Sequence, residues 1–142
     1  MNAAHRGSCF CGAVTIEAAG APLEMGYCHC SDCRAFSGAP LTAYTLWRQG
    51  DVRIASGTEL IGAFNKTGMS ERRHCTRCGG HLMTDHPTLG FTDVLAAILP
   101  SVAFAPSVHL HYAAAVLRIA DGLPKLRDFP AEVGGSGESV RE

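Results

Sequence analysis

The chain has 142 residues with 46% apolar content, a size at which one domain buries roughly 68–70% of the surface its unfolded form exposes. Charged residues make up 18% and the formal net charge is -1, which leaves no basic footprint for nucleic acid or an anionic membrane. The run from Met1 to Cys9 has no apolar stretch before the first cysteine, and nothing later approaches about 18 consecutive apolar residues. These features predict neither a secretory leader nor a spanning helix, and a cytoplasmic location is expected.

In chain order, Ala13-Val14-Thr15-Ile16-Glu17 is β-branched and follows a Cys-Gly turn, which predicts a strand leaving the first cysteines. After a loop with Gly20 and Pro22, Ser31 or Asp32 is placed to cap a short helix through Cys33-Arg34-Ala35-Phe36, ended by Gly38 and Pro40. Leu41–Leu46, Val52–Ala55, Leu60–Phe64 and Val94–Leu99 are short apolar runs bounded by turn residues, and they predict an antiparallel meander. Ser70–His74, His109–Ala113 and Val116–Ile119 supply further extended pieces. No helix of ten or more residues is expected. Trp47 and Tyr44 read as core or pocket wall.

The stretch Asp121–Pro130 is too rich in Pro and Gly for a helix, and it reads either as a lid or as a strap across the sheet. One domain over 1–132 is expected, with a flexible tail over 133–142. No internal repeat is present.

Seven cysteines in a reducing compartment cannot all pair, so metal or thiolate chemistry is favoured over disulfides. They fall into Cys9-x-Cys11, Cys28-x-Cys30-x-x-Cys33 and Cys75-x-x-Cys78. Zinc closes a structural site with four ligands, whereas a catalytic site keeps three and an exchangeable position. The simplest division of the seven joins Cys9, Cys11, Cys75 and Cys78 as a closed site, with Cys28, Cys30 and Cys33 as an open one, although spacing alone does not prove it. A zinc ribbon joining Cys30 and Cys33 with Cys75 and Cys78 is the alternative, although it strands the other three.

Gly12 and Gly79-Gly80 follow two of the clusters, where a metal-binding turn needs positive backbone dihedrals and amide hydrogens aimed at sulfur. His29 and Asp32, lying between ligands, are candidates to shuttle protons or orient a bound group. Arg34 is a candidate partner for a substrate carboxylate. His74 and His81 are candidates for a mixed ligand set that the full cysteine count makes unnecessary. His5, His86, His109 and His111 have no motif context and read as surface or hydrogen-bonded residues.

With these motifs in hand, the chain resembles the glutathione-dependent formaldehyde-activating enzyme family, which includes centromere protein V. The resemblance rests on Gly7-Ser8-Cys9-Phe10-Cys11-Gly12-Ala13-Val14, Cys28-His29-Cys30-Ser31-Asp32-Cys33-Arg34, Cys75-Thr76-Arg77-Cys78-Gly79 and Asp121-Gly122-Leu123-Pro124-Lys125 through Asp128-Phe129-Pro130. Phe10 stands where many relatives carry His, and the chain is shorter than expected of formaldehyde-activating members.

The resemblance implies a mainly β fold, a β-tent of antiparallel sheets around a structural zinc, with short helical turns. It implies structural zinc at Cys9, Cys11, Cys75 and Cys78, and catalytic zinc at Cys28, Cys30 and Cys33, two ions per chain. The implied activity is that of a carbon–sulfur lyase resembling S-hydroxymethylglutathione synthase, with glutathione or a related thiol adduct of a small electrophile as partner. The competing reading is a non-catalytic module whose zinc is structural only. A thiol buffer or metal store is a third.

Overall fold

The computed structural model describes residues 4–142 and is mainly β. The described chain divides into two compact units, one comprising residues 4–23 with Thr45–Phe104, the other Glu24–Tyr44 with Ala105–Glu142.

The first unit carries two runs of strands. β1 (Ala4–Ser8) pairs antiparallel with β2 (Thr15–Ala19), and β2 with β5 (Val52–Ser56). β6 (Ile61–Phe64), β7 (Glu71–Cys75), β8 (His81–His86) and β9 (Phe91–Leu95) form an antiparallel meander. The expected one ran through Leu41–Leu46, Val52–Ala55, Leu60–Phe64 and Val94–Leu99, whereas Val52–Ser56 pairs with β2 instead. β4 (Thr42–Arg48) enters this unit at Thr45, whose hydroxyl accepts from Trp47 Nε1 at 2.8 Å and donates to the Val94 carbonyl at 2.9 Å. These bonds let the whole indole lie in the interior. Val14, Ile16, Ala18, Trp47, Leu82, Met83, Val94 and Leu99 form the apolar core, together with Cys9 and Cys75. Two thiols of one cysteine cluster are thereby fixed by core packing.

The second unit is built around a parallel pair, β3 (Glu24–Cys28) with β10 (Val108–Leu110), which departs from the all-antiparallel expectation. Gly26 permits the approach, because a Cβ there would sit 2.6 Å from the Val108 carbonyl and 2.8 Å from the Tyr44 hydroxyl. The interior here is largely polar: Tyr112, His29 and His109 are fully buried, with Thr42, Tyr44 and Lys125 nearly so. The segment 124–128 lies alongside β10. His109 donates its amide to Pro124, Leu126 to His109, and Tyr112 to Leu126, each at 2.9 Å, and His111 donates to Asp128 at 2.7 Å. Asp121–Pro130 is thus hydrogen-bonded along a strand. Residues of 133–142, expected to be a flexible tail, bond back to it through Glu138 with Arg127 and Val140 with Lys125.

Several expected elements differ. α1 spans Ser31–Ser37, and its N-cap is Cys30 in place of Ser31 or Asp32, because the Cys30 thiol accepts the Cys33 amide at 3.2 Å. Val94–Leu99 is a strand only to Leu95 and turns into a 3-10 helix over Ala96–Ile98. His109–Ala113 likewise becomes a 3-10 turn over Tyr112–Ala114. Val116–Ile119 is not a strand, since the Ile119 amide donates to the Tyr112 hydroxyl at 2.8 Å and not to a neighbouring strand. β1, β3 and β8 were not expected. β1 and β3 are polar or Gly-interrupted, and β8 has four consecutive buried residues with no alternation. Among the described residues no helix is long and apolar enough to cross a membrane.

Candidate metal centre

Each unit gathers one cysteine cluster. In the first, Cys9, Cys11, Cys75 and Cys78 bring their sulfurs within 4.8 Å of one another, with Cys9 to Cys11 at 3.6 Å and Cys11 to Cys75 at 3.9 Å. Two turns, from β1 toward β2 and from β7 toward β8, supply the four thiols. Gly12 and Gly79 take φ of +80° and +77°, the left-handed backbone expected of such knuckles. Gly80 does not, yet its amide reaches Cys78 Sγ at 3.4 Å, as the Val14 amide reaches Cys9 Sγ at 3.3 Å.

Amides aimed at sulfur favour thiolate. Burial pushes the Cys9 thiol up, but the Val14 amide and the Cys11, Cys75 and Cys78 thiols outweigh it and bring it down to about 6. The Gly80 amide leads the causes that lower Cys78. Cys11 moves the other way, to about 11, where the Ala13 amide is outweighed by desolvation and by the neighbouring sulfurs. Four sulfurs this close cannot all ionise without a cation between them, and soft thiolate donors in a set of four fit zinc.

In the second unit Cys28, Cys30 and Cys33 lie within the same 4.8 Å limit, and no His, Asp or Glu among the described residues joins them. Cys28 ends β3, while Cys30 and Cys33 sit at the start of α1. The turn between them is tied down by its backbone: the His29 amide donates to Leu110 at 3.0 Å, and Arg34 Nε donates to the His29 carbonyl at 3.1 Å. Arg34, considered for a substrate carboxylate, therefore spends its Nε on this turn. The Cys33 carbonyl accepts from Ser37 at 2.8 Å and Thr42 at 3.1 Å. Hydrogen bonds to Cys30 and Cys33, then burial, push Cys28 well up, whereas the same neighbours and the Cys33 amide hold Cys30 far down. The trio is therefore a set of thiols in competition for one negative charge, and a divalent cation would relieve it. The ribbon alternative fails, because Cys75 and Cys78 cluster with Cys9 and Cys11.

The histidines separate sharply. His29 and His109 are fully buried and bonded to each other at 2.8 Å. Burial first, then the charges of His109, Lys125, Arg118 and Arg34, pushes His29 down to about 4. His109 had no motif context, and Asp121, Lys125 and Tyr112 were not singled out as site residues; their spacing in sequence carries no metal or catalytic pattern. His86 instead bridges Ser70 at 3.0 Å and Asp93 at 2.7 Å, and His5 bridges Ser101 and Gly20. A cavity of about 500 Å³ in the first unit is lined by residues such as Arg6, Ser8, Glu17 and Ile98, with no cysteine or histidine. Its carboxylate, Glu17, is ion-paired with Arg6 at 3.1 Å and Arg53 at 2.5 Å, which leaves the cysteine trio as the candidate centre.

The glutathione-dependent formaldehyde-activating enzyme family model matches residues 4–115. Among solved structures, the crystal structure of a Rhodobacter sphaeroides protein, a structural genomics target, is similar at 27% identity and a TM-score of 0.58. The match covers 69% of this chain and 90% of that one. No curated protein sequence matches.

Proposed function

We propose that this chain, which belongs to the glutathione-dependent formaldehyde-activating enzyme family, is a zinc-dependent carbon–sulfur lyase acting on glutathione or a related thiol adduct of a small electrophile. The observation that carries the reading is the three-thiol cluster of Cys28, Cys30 and Cys33 with no fourth side chain of ligand type within its reach among the described residues. The four-thiol cluster supplies the contrast, since its ligand set is complete.

In the synthetic direction the sulfur of the thiol bonds to the carbonyl carbon of the electrophile, and the thiol proton ends on the carbonyl oxygen. In the lyase direction the carbon–sulfur bond breaks, the hydroxyl proton returns to sulfur, and the carbonyl reforms. Zinc held by the trio supplies a position at which a substrate sulfur stays ionised near neutral pH. Cys28, Cys30 and Cys33 hold the ion, and their three negative charges reduce the pull on a carbonyl oxygen, favouring the positioning of a thiolate. α1, whose first turn contains Cys33, stabilises negative charge at that end of the helix.

Purified protein is expected to speed the exchange of formaldehyde with glutathione above the spontaneous rate, read by nuclear magnetic resonance. It is expected to carry two zincs per chain. Cys30→Ala should reduce zinc to one per chain and lower turnover by at least about 100-fold, beyond the range of losing an outer-shell partner. Two zincs and unchanged turnover in that variant would exclude the assignment.

A further inference from the structure

The second unit buries a connected row of polar side chains that the proposed reaction does not use. His29 Nε2 lies 2.8 Å from His109 Nδ1, and His109 Nε2 lies 2.8 Å from Asp121 Oδ2. Asp121 Oδ1 accepts from Lys125 Nζ, which also donates to Glu142 Oε1 at 3.0 Å. Lys125 is 3% exposed. The Tyr112 ring stands edge-on to both imidazoles, 5.0 Å from His29 and 5.5 Å from His109.

Chemistry gives this row a direction. A carboxylate paired with an ammonium can only accept, so His109 carries its proton on Nε2. With Nε2–H committed to Asp121, Nδ1 of His109 is placed to accept, and His29 to donate to it from Nε2. The far end agrees independently. His29 Nδ1 is buried with no hydrogen-bond partner among the described residues, and a bare lone pair is tolerated there far better than an orphaned N–H. Both rings are therefore held as their Nε2–H tautomers, with Asp121 and Lys125 as the anchor.

We propose that His109 is a positioning residue for the three-cysteine site. Oriented by Asp121, it fixes the His29 ring, and through that ring the Cys28–His29–Cys30 turn that presents two of the three thiols. The inference rests on the trio holding a metal. It assigns His29 to orienting the ligand turn, the second of the two roles its place in the sequence suggested.

Two substitutions separate positioning from bulk. In His109→Asn the amide oxygen stands near the place of Nδ1 and can still accept from His29. In His109→Gln the amide stands near the place of Nε2, so the Asp121 contact survives and the His29 contact is lost. Zinc release to a chelator from the two-zinc protein is expected to accelerate about 10–100-fold in the Gln variant, the range typical of losing an outer-shell partner. The Asn variant should stay within about threefold of the parent, although Gln is the closer match in volume. Release from the four-cysteine site in the same samples reports on the fold and should not change.

Equal release from the trio in both variants, whether fast or at the parent rate, would overturn the proposal. Nitrogen-15 spectra of the parent protein give a second reading, with both histidines expected as Nε2–H tautomers. A proton on Nδ1 of His29 would overturn the proposal even if a variant failed to fold. One zinc per chain in the parent would instead overturn the metal reading on which the inference stands.

Discussion

Cys30 holds two tasks in one side chain. Its thiol caps α1 by accepting the Cys33 amide, and the same sulfur belongs to the trio. Serine is among the strongest N-caps and a poor zinc ligand, so substitution can divide the tasks. In chelator-stripped protein, Cys30→Ala should lose about 1 kcal/mol of stability relative to Cys30→Ser in urea denaturation. Both variants should bind one zinc fewer than the parent. Equal apo stabilities would show that the cap contributes nothing. At this scale the sequence was informative about which thiols cluster, because closely spaced cysteines have few other uses. It was silent on His109, since an isolated histidine gains meaning only from what faces it.

Among the elements, the segment 121–128 beside β10 has a pH dependence that can be derived. Burial pushes Asp121 up, but hydrogen bonds from Lys125 and His109 outweigh it and hold the carboxyl well below its ordinary range. A lowered carboxylate pKa contributes stability that is present above the unfolded value, near 4, and is lost as pH falls through the folded value. Lys125 is the converse. Burial lowers it, but Asp121 and Glu142 more than compensate and raise it, so its contribution is present below roughly 10.4 and is lost as pH rises through the folded value. The destabilisation caused by Asp121→Asn should therefore be constant from about pH 6 to 8 and shrink as pH falls below about 4. Urea midpoints of parent and variant, both stripped of metal, give the difference. A gap that widens toward acid would reverse the sign and refute the argument.

Across the whole molecule, each compact unit contains one cysteine cluster, and the two clusters sit in different interiors. Cys9 and Cys75 are part of an apolar core, whereas the trio adjoins a unit whose buried side chains are mostly polar. A closed four-thiolate site should resist a chelator longer than an open three-thiolate site. Zinc release is expected in two phases, the fast one removing protection from amides in 24–44 and 105–142. Cys75→Ala should abolish the slow phase. Fast loss of protection confined to 45–104 would assign the labile metal to the wrong cluster.

The sequence by itself determined the simplest grouping of the thiols, the mainly β fold, the lack of a long helix among the described residues and the family. Cysteine spacing is local, and alternating apolar residues over half-buried strands leave a direct trace. Tertiary structure alone decided the parallel pairing of β3 with β10, the exclusion of a ribbon joining Cys30 and Cys33 with Cys75 and Cys78, and the row from His29 through His109 to Asp121 and Lys125. A hydrogen bond between side chains 80 positions apart leaves no periodic signal. It exists only because β3 and β10 run side by side and exclude water around both rings.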